Sequence, residues 1–314
     1  MDPIAININF DSLNEAFGFP DGFRDPSFFA AFDRLSAAAE RRGMRLSLYI
    51  IGRDLDNSEI AARVRDWHAA GHEIGNHTWS HPYDLGALPP ARLDAEIRRA
   101  HDRIAETIGT EPRGFIAPNW CTSGRVLGTL IDLGYLYDTS VFPSLMLWPM
   151  VAKAAINHRR DKVKSRRLLS RRDWLLQPRL GSHPFIADRH YRRVDRPGPG
   201  TIVVLPLPTE RPWRLPLWHT VGLVLDWTRY LSDVRRAVGR PGFYHLMHPA
   251  DFTGLEDLEQ VPTHSLERLA VPVRDKMDRI EQVLDLLLES GRPVATMSAV
   301  ARAVLAQAEG GATP

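Results

Sequence analysis

Over most of the 314 residues, short apolar runs alternate with longer segments in which apolar side chains recur about every 3.6 residues. The runs are rich in Ile, Val, Leu and Tyr and predict buried strands at Ile4–Phe10, Arg45–Ile51, His72–Asn76, Gly114–Ala117, Tyr135–Asp138, Thr201–Leu205, Phe243–Met247 and Pro293–Thr296. The periodic segments predict helices at Phe28–Arg42, Ser58–Ala70, Arg92–Ile108, Arg125–Leu133, Val221–Val238 and Leu266–Ser290. Regular alternation of strands and helices favours a parallel α/β fold.

Two stretches interrupt this alternation, one from about Pro143 to Gly200 and one in the proline-rich segment Leu205–Pro216. Because proline is incompatible with a helix interior, the second stretch is not a helix. Apolar residues make up 44% of the chain, which supports a sizeable core and excludes a wholly disordered protein. We expect residues 1–314 to form one barrel domain, with residues 143–200 as a basic insertion within it.

Positive charge is concentrated in that insertion. Residues 153–196 contain 14 Lys/Arg and four Asp/Glu, a local charge of +10 in a chain of net charge +2. Such basic blocks bind phosphates on nucleic acids, lipid surfaces or activated sugars. No nucleic-acid motif accompanies the charge, whereas the apolar segment Leu145–Val151 and Trp174 favour a membrane surface. We therefore expect contact with an anionic membrane and not with nucleic acid, the alternative being a solvated basic face or flexible loop.

The amino-terminal segment and the cysteine content suggest a location. Residues Met1–Phe10 have no basic, then apolar, leader pattern and predict a strand instead of a signal peptide. No run of about 18 apolar residues predicts a membrane span. Cys121 is the single cysteine, so the sequence predicts no internal disulfide. The sequence-based expectation is a soluble cytoplasmic protein.

Candidate metal ligands follow two predicted strands. In parallel α/β folds, reactive groups gather where strands end on their carboxyl side. The first strand ends at Asp11, and the third runs into His77 and His81, whose spacing places them on one face of a helical turn. One carboxylate and two imidazoles make a three-ligand site with open positions for water and substrate. A turn-capping role for Asp11 and a chance histidine pair remain alternatives.

Further polar or aromatic residues follow later strands, including Pro118, Asn119, Trp120, Asp138 and His248. Taken in chain order, the segments resemble the polysaccharide deacetylases, the NodB-homology group also called carbohydrate esterase family 4. The resemblance covers roughly residues 4–142 and 200–300. It implies an irregular (β/α)7-type barrel and metal-dependent hydrolysis of an N-acyl, or less often O-acyl, group on a sugar.

The resemblance also assigns roles to individual residues. His77 and His81 correspond to the metal-binding histidines, and with Asp11 they would hold one divalent ion, zinc in the first place, with cobalt, nickel or manganese as alternatives. His248 corresponds to the general acid that protonates the leaving amine. Asp138 belongs to the motif that orients this histidine.

The segment after the fourth strand corresponds to the family's proline–aromatic motif. Trp120 is the aromatic residue that packs near the site, and Pro118 shapes it. The backbone N–H of Asn119 lies where the family places a donor to the oxyanion. The family's arginine in this motif is replaced here by Ile116.

The first motif also departs from the family, which has two acids, a base and a metal ligand. In one alignment Asp11 is the base and Ser12 replaces the ligand; in the other Asp11 is the ligand and Asn9 occupies the position of the base. We favour the second, because a serine hydroxyl replaces a carboxylate poorly on a divalent ion. An amide cannot accept a proton. Asn9 therefore indicates an introduced Asp→Asn exchange, which we favour, a naturally impaired protein, or a different base.

A phosphate-bearing substrate would account for both the site and the basic insertion. We expect an N-acetyl or N-formyl amino sugar carried on a polyprenyl phosphate at the inner membrane surface, as in the deformylases of lipopolysaccharide modification within the resembling branch. A nucleotide-activated sugar is the nearest alternative, and chitin or peptidoglycan is less favoured because both lie outside the cell. Two other classes of protein compete with this interpretation: a barrel that lacks the catalytic base and only binds a sugar, and a cyclic-amide hydrolase.

Overall fold

A computed structural model describes residues 1–13, 16, 19, 23–147, 171, 173–175, 177–210, 214–259 and 268–310 of the chain. The strands are β1 (Ile4–Phe10), β2 (Ser47–Ile50), β3 (Glu73–Asn76), β4 (Gly114–Phe115), β5 (Tyr137–Asp138), β6 (Phe185–Ala187), β7 (Ile202–Val204), β8 (Thr209–Glu210), β9 (Leu215–Pro216), β10 (Tyr244–Met247) and β11 (Val294–Ala295). The helices are α1 (Ala30–Glu40), α2 (Ser58–Ala69), α3 (Pro90–Ile108), α4 (Gly124–Asp132), α5 (Gln177–Leu180), α6 (His219–Val224), α7 (Trp227–Ala237), α8 (Val273–Glu289) and α9 (Met297–Gly310).

A curled, mostly parallel sheet organises the fold. Its strand order is β10-β1-β2-β3-β4-β5-β7-β6, and within the described residues only β6 runs antiparallel to its neighbour. The ninth strand, β11, pairs in parallel with β1, and β8 and β9 form a separate hairpin. All eight strands predicted from the sequence belong to this sheet, so the expected α/β barrel-type fold is confirmed.

Strand β1 is buried on both faces and separates two apolar layers. Ile4, Ile6, Ile8 and Phe10 pack in the cluster shared with the surrounding helices, whereas Ala5 packs in the cluster inside the curl. Because side chains alternate along a strand, the odd-numbered residues of β1 share the inner face with Ala5. This alternation places Asn9 on the inner face at the carboxyl end of the strand.

Two predicted helices differ from the structure. The segment Val221–Val238 is divided into α6 and α7, because Asp226 accepts a hydrogen bond from the Arg229 N–H and starts a new helix. The segment Leu266–Ser290 is helical from Val273 onwards; residues 260–267 lie outside the described residues. Helix α9 was not predicted.

The predicted insertion is described only in part, because residues 148–170, 172 and 176 lie outside the described residues. Its later portion contains β6, which pairs with β7 and so belongs to the central sheet. The boundaries of the insertion and the single-domain organisation stay predictions. Among the helices that the structure describes, none has the length and apolar character needed to cross a membrane.

Candidate active site

Asp11, His77 and His81 form a cluster beyond the carboxyl ends of β1 and β3. One potential ligand atom from each residue lies within 4.8 Å of the others. The Asp11 Oδ1 atom is 2.9 Å from His77 Nε2 and 3.4 Å from His81 Nε2. Burial favours the neutral carboxyl, but the facing imidazoles outweigh it and hold the pKa of Asp11 well below its usual value. An ionised carboxylate is therefore available to a cation.

The two histidines meet through an irregular turn, and the predicted helical turn is wrong. Thr78 and His81 both have positive φ angles, 66° and 54°. The Asn76 side chain accepts a hydrogen bond from the Thr78 N–H at 2.7 Å, and the Thr78 hydroxyl accepts one from the His81 N–H at 3.2 Å. These bonds fold the segment back so that the rings of His77 and His81 lie 4.9 Å apart.

The contacts of His77 suit a metal ligand. Its Nδ1 atom lies 2.8 Å from the carbonyl oxygen of Ile116, so Nδ1 carries the proton and donates it. In the neutral ring the lone pair is then on Nε2, the atom that faces Asp11 and that would bind an ion placed between them. Metal-binding histidines are commonly fixed by such a hydrogen bond from the other ring nitrogen. A carboxylate with two imidazoles is the donor set that zinc and similar ions prefer, so these residues fit the expected ion.

Asn9 lies two residues before Asp11, and only 4% of its surface is exposed. Its Oδ1 atom has no hydrogen-bond partner among the described residues. A buried amide oxygen without a partner is costly to keep, so its retention at this position is consistent with a site for a substrate or water molecule.

His248 follows β10, and its side chain is 12% exposed. Burial lowers its pKa below the ordinary value of 6.5, against the opposing charges of Asp11 and Asp251. Asp251 is fully buried and lies beside it: Nδ1 of His248 is 3.9 Å from Oδ2 of Asp251, which also accepts the His248 backbone N–H at 2.9 Å. Thr220 donates its hydroxyl to the other carboxylate oxygen of Asp251 at 2.7 Å.

Asp138 has different contacts from those that its predicted role requires. Its Oδ1 atom accepts hydrogen bonds from the backbone N–H and the hydroxyl of Ser140, and its Oδ2 atom accepts one from Tyr191 at 2.9 Å. The Ser140 hydroxyl in turn accepts the Ala117 N–H at 2.8 Å. Burial raises the pKa of Asp138 to about 6. Asp138 therefore supports the backbone just before Pro118, and its role in orienting His248 stays a prediction.

Aromatic rings form one side of the site. Trp120 stacks on Trp218 with ring centroids 4.8 Å apart and planes inclined by 7°, and Phe142 packs on both rings. Trp218 presents its ring to His248 at 6.0 Å and 79°. Sequence reasoning found Trp120 but missed Trp218 and Asp251. The His-Pro-Ala-Asp sequence is a capping-box pattern that could have drawn attention to Asp251.

Comparison with known proteins supports the interpretation of this geometry. The family model for polysaccharide deacetylases matches residues 19–137. The matched segment is about two fifths of the chain, and over it the chain is similar to polysaccharide deacetylases. A chitin deacetylase from Pestalotiopsis sp. is 28% identical to this chain over 115 residues, which is 35% of this chain and 37% of that protein. The chain spans less than half the length of each of the curated relatives that it matches.

The same fold occurs in solved structures. A protein from Mycobacterium smegmatis assigned as a polysaccharide deacetylase matches with a TM-score of 0.59 and 17% identity, covering 97% of the chain described here and 90% of its own. A family 4 pseudoenzyme from Bacillus anthracis matches with a TM-score of 0.50 and 12% identity, covering 96% of the chain described here and 65% of its own. At these identities the matches show a common fold.

Proposed function

We propose that the protein removes an N-acyl group from an amino sugar by metal-dependent hydrolysis. The observation that carries the proposal is the convergence of Asp11, His77 and His81 to ligand distances, in a chain whose residues 19–137 match the family model for polysaccharide deacetylases. The similarity to chitin deacetylases supports an N-acetyl amino sugar as the substrate class.

Each residue has a defined task in this reaction. Asp11, His77 and His81 would hold the ion, which when bound polarises the acyl oxygen and lowers the pKa of a water molecule towards about 7. The Asn119 N–H is the candidate donor to the developing oxyanion. His248 donates a proton to the departing nitrogen, since an unprotonated amine leaves poorly. Asp251 fixes the backbone of His248 and places a negative charge beside its ring.

The sequence has an amide, Asn9, at the position that we assign to the general base. Loss of a positioned base lowers rates by roughly 10²–10⁴-fold, and the Asn9 amide cannot accept a proton. We propose that a carboxylate at this position completes the site. The test is Asn9→Asp, assayed for acetate and formate release from N-acyl amino sugars in the presence of zinc.

Asn7→Asp is the matched control, because Asn7 is a buried amide on the same face of β1, two residues further from the carboxyl end. A rate increase in Asn9→Asp alone supports the base assignment. No increase in either variant contradicts it. If the Asn9→Asp protein binds the sugar without turnover, the alternative of a sugar-binding barrel replaces the hydrolase.

We further propose a polyprenyl-phosphate-linked amino sugar as the substrate, with peripheral binding to an anionic membrane through residues 153–196. The support is the local charge of +10, because each Lys/Arg near an anionic bilayer contributes about 1 kcal/mol. The test compares three substrates of the Asn9→Asp variant: the lipid-phosphate-linked sugar, the nucleotide-linked sugar and chitin oligomers. Preference for chitin oligomers, together with no cosedimentation with anionic vesicles, would exclude the lipid-linked substrate.

A further inference from the structure

The turn that carries the candidate oxyanion donor has an unusual backbone. Asn119 and Trp120 are consecutive non-glycine residues with positive φ angles, 49° and 52°. This region is disfavoured for side chains with a Cβ atom, so such a conformation persists only where surrounding contacts enforce it.

Two side chains from the partly described basic segment contact this turn. Arg171 donates from Nη2 to the Asn119 carbonyl oxygen at 2.9 Å, and Gln177 donates from Nε2 to the Trp120 carbonyl oxygen. Both carbonyl groups that accept these bonds therefore belong to the two residues with positive φ.

Asp173 joins the two donors into one unit. Its carboxylate accepts Nε and Nη2 of Arg171 at 3.1 and 2.8 Å and Nε2 of Gln177 at 2.8 Å. The side chains of Arg171 and Asp173 are each 4% exposed, and Gln177 is fully buried. The Gln177 Oε1 atom accepts a hydrogen bond from the Phe142 N–H at 2.5 Å. We call Arg171, Asp173 and Gln177 the brace residues.

The conformation of the turn determines where the aromatic side of the site lies. Trp120 stacks on Trp218 at 4.8 Å, and Trp218 contacts the His248 ring at 6.0 Å. A shift of the turn would therefore move the Asn119 N–H and alter the packing beside the general acid together.

We propose that Arg171 and Gln177 are positioning residues that fix the Asn119–Trp120 turn, so that the basic segment contributes directly to the active site. The geometric part stands on the contacts alone, whereas the catalytic part rests on the proposed deacetylase function. Arginine suits the task because its rigid fork reaches a carboxylate and a carbonyl at once, which a lysine ammonium does less well.

The experiment measures turn geometry and catalysis separately. At 4.8 Å the far-ultraviolet transitions of Trp120 and Trp218 couple when one indole is rotated relative to the other within the stack, and the couplet is measured as the circular dichroism of the parent minus that of Trp218→Phe. The variants are Arg171→Met, Arg171→Lys and Gln177→Met, with Arg189→Met as the control, because Arg189 forms a half-exposed ion pair with Asp132. Kinetic constants are measured in the Asn9→Asp background.

We expect Arg171→Met and Gln177→Met to lose most of the couplet and about 10- to 100-fold in kcat with little change in KM, and Arg171→Lys to be intermediate. Arg189→Met should leave both unchanged. Gln177→Met and Arg171→Lys leave no buried charge unpaired, so they test the proposal if Arg171→Met does not fold. If Arg171→Met or Gln177→Met folds with an unchanged couplet, the positioning role of that residue is wrong. If these variants lose the couplet but the Asn9→Asp protein itself shows no turnover, the role of the brace residues in fixing the turn is retained and the proposed function is contradicted.

Discussion

The Nδ1 atom of His248 lies 3.9 Å from the Oδ2 atom of Asp251, three residues further along the same loop. The same carboxylate oxygen accepts the backbone N–H of His248 at 2.9 Å. One buried acid thus fixes both the backbone and the electrostatic surroundings of the candidate general acid. Asp138, which belongs to the motif expected to do so, bonds Ser140 and Tyr191 instead.

Replacement of Asp251 should change the titration of His248. The negative charge of Asp251 raises the pKa of His248 against the effect of burial. In Asp251→Asn we therefore expect the pKa of His248 to fall further below 6.5, and the protonated imidazole to be lost at a lower pH. Nuclear magnetic resonance of labelled histidine measures this without turnover.

Asp138→Asn is the comparison for that measurement. We expect it to leave the His248 titration in place and to lower stability, because the amide nitrogen that replaces Oδ2 cannot accept the hydrogen bond from Tyr191. If the two variants shift the His248 pKa equally, the assignment of Asp251 as its partner is wrong.

A buried lysine beneath the same loop should make stability depend on alkaline pH. Lys276 is fully buried and donates from Nζ to the carbonyl oxygens of Ala250, at 2.9 Å, and Thr253. Burial lowers its pKa from 10.5 to about 8. Between these values the unfolded chain binds the proton and the folded chain does not, so the free energy of unfolding rises with pH in this window.

The expected rise is about 3 kcal/mol across the window, at roughly 1.4 kcal/mol per pKa unit. Denaturant unfolding of the parent and of Lys276→Met at a series of pH values measures it, because other titrating groups are common to both proteins. A difference between the two proteins that stays constant from pH 8 to 10.5 would contradict the shifted pKa of Lys276.

Removal of either histidine ligand should abolish tight zinc binding. We expect the parent protein to bind about one zinc ion per chain. His77→Ala and His81→Ala should each lose more than about 100-fold in affinity, since even outer-shell changes cost 10–100-fold. His101→Ala is the control, because this buried histidine contacts Tyr135 at 3.1 Å and is not in the cluster. Isothermal titration provides the constants, and equal affinities in all four proteins would exclude this site.

Much of the fold follows from local patterns that do not depend on distant contacts. In Ile4–Phe10, outward residues are aliphatic or aromatic, and the inner face carries two amides. Asp11, His77 and His81 could be placed in one site from the sequence, because parallel strands bring their carboxyl ends to the same side of a sheet. The backbone conformation between His77 and His81 could not be predicted from the sequence, because it depends on hydrogen bonds of the Asn76 and Thr78 side chains.

Other features depend on tertiary contacts that the sequence pattern obscured. Strand β6 is only three residues long and lies within a basic, proline-containing stretch, so its strand-favouring Phe185 and Ile186 were not distinguished from the surrounding segment. Arg171 and Asp173 are part of a charge run that predicts a solvated or membrane-facing segment, yet they form a buried ion pair against the Asn119–Trp120 turn. Asp251 was overlooked because a lone acid near a histidine is common in turns.

The most direct test of the account is anomalous X-ray diffraction at the zinc absorption edge from crystals grown with zinc. We predict one strong peak within about 2.0–2.2 Å of a carboxylate oxygen of Asp11 and of Nε2 of His77 and His81. Absence of a peak there, or a peak held by other residues while these three side chains stay apart, would contradict it.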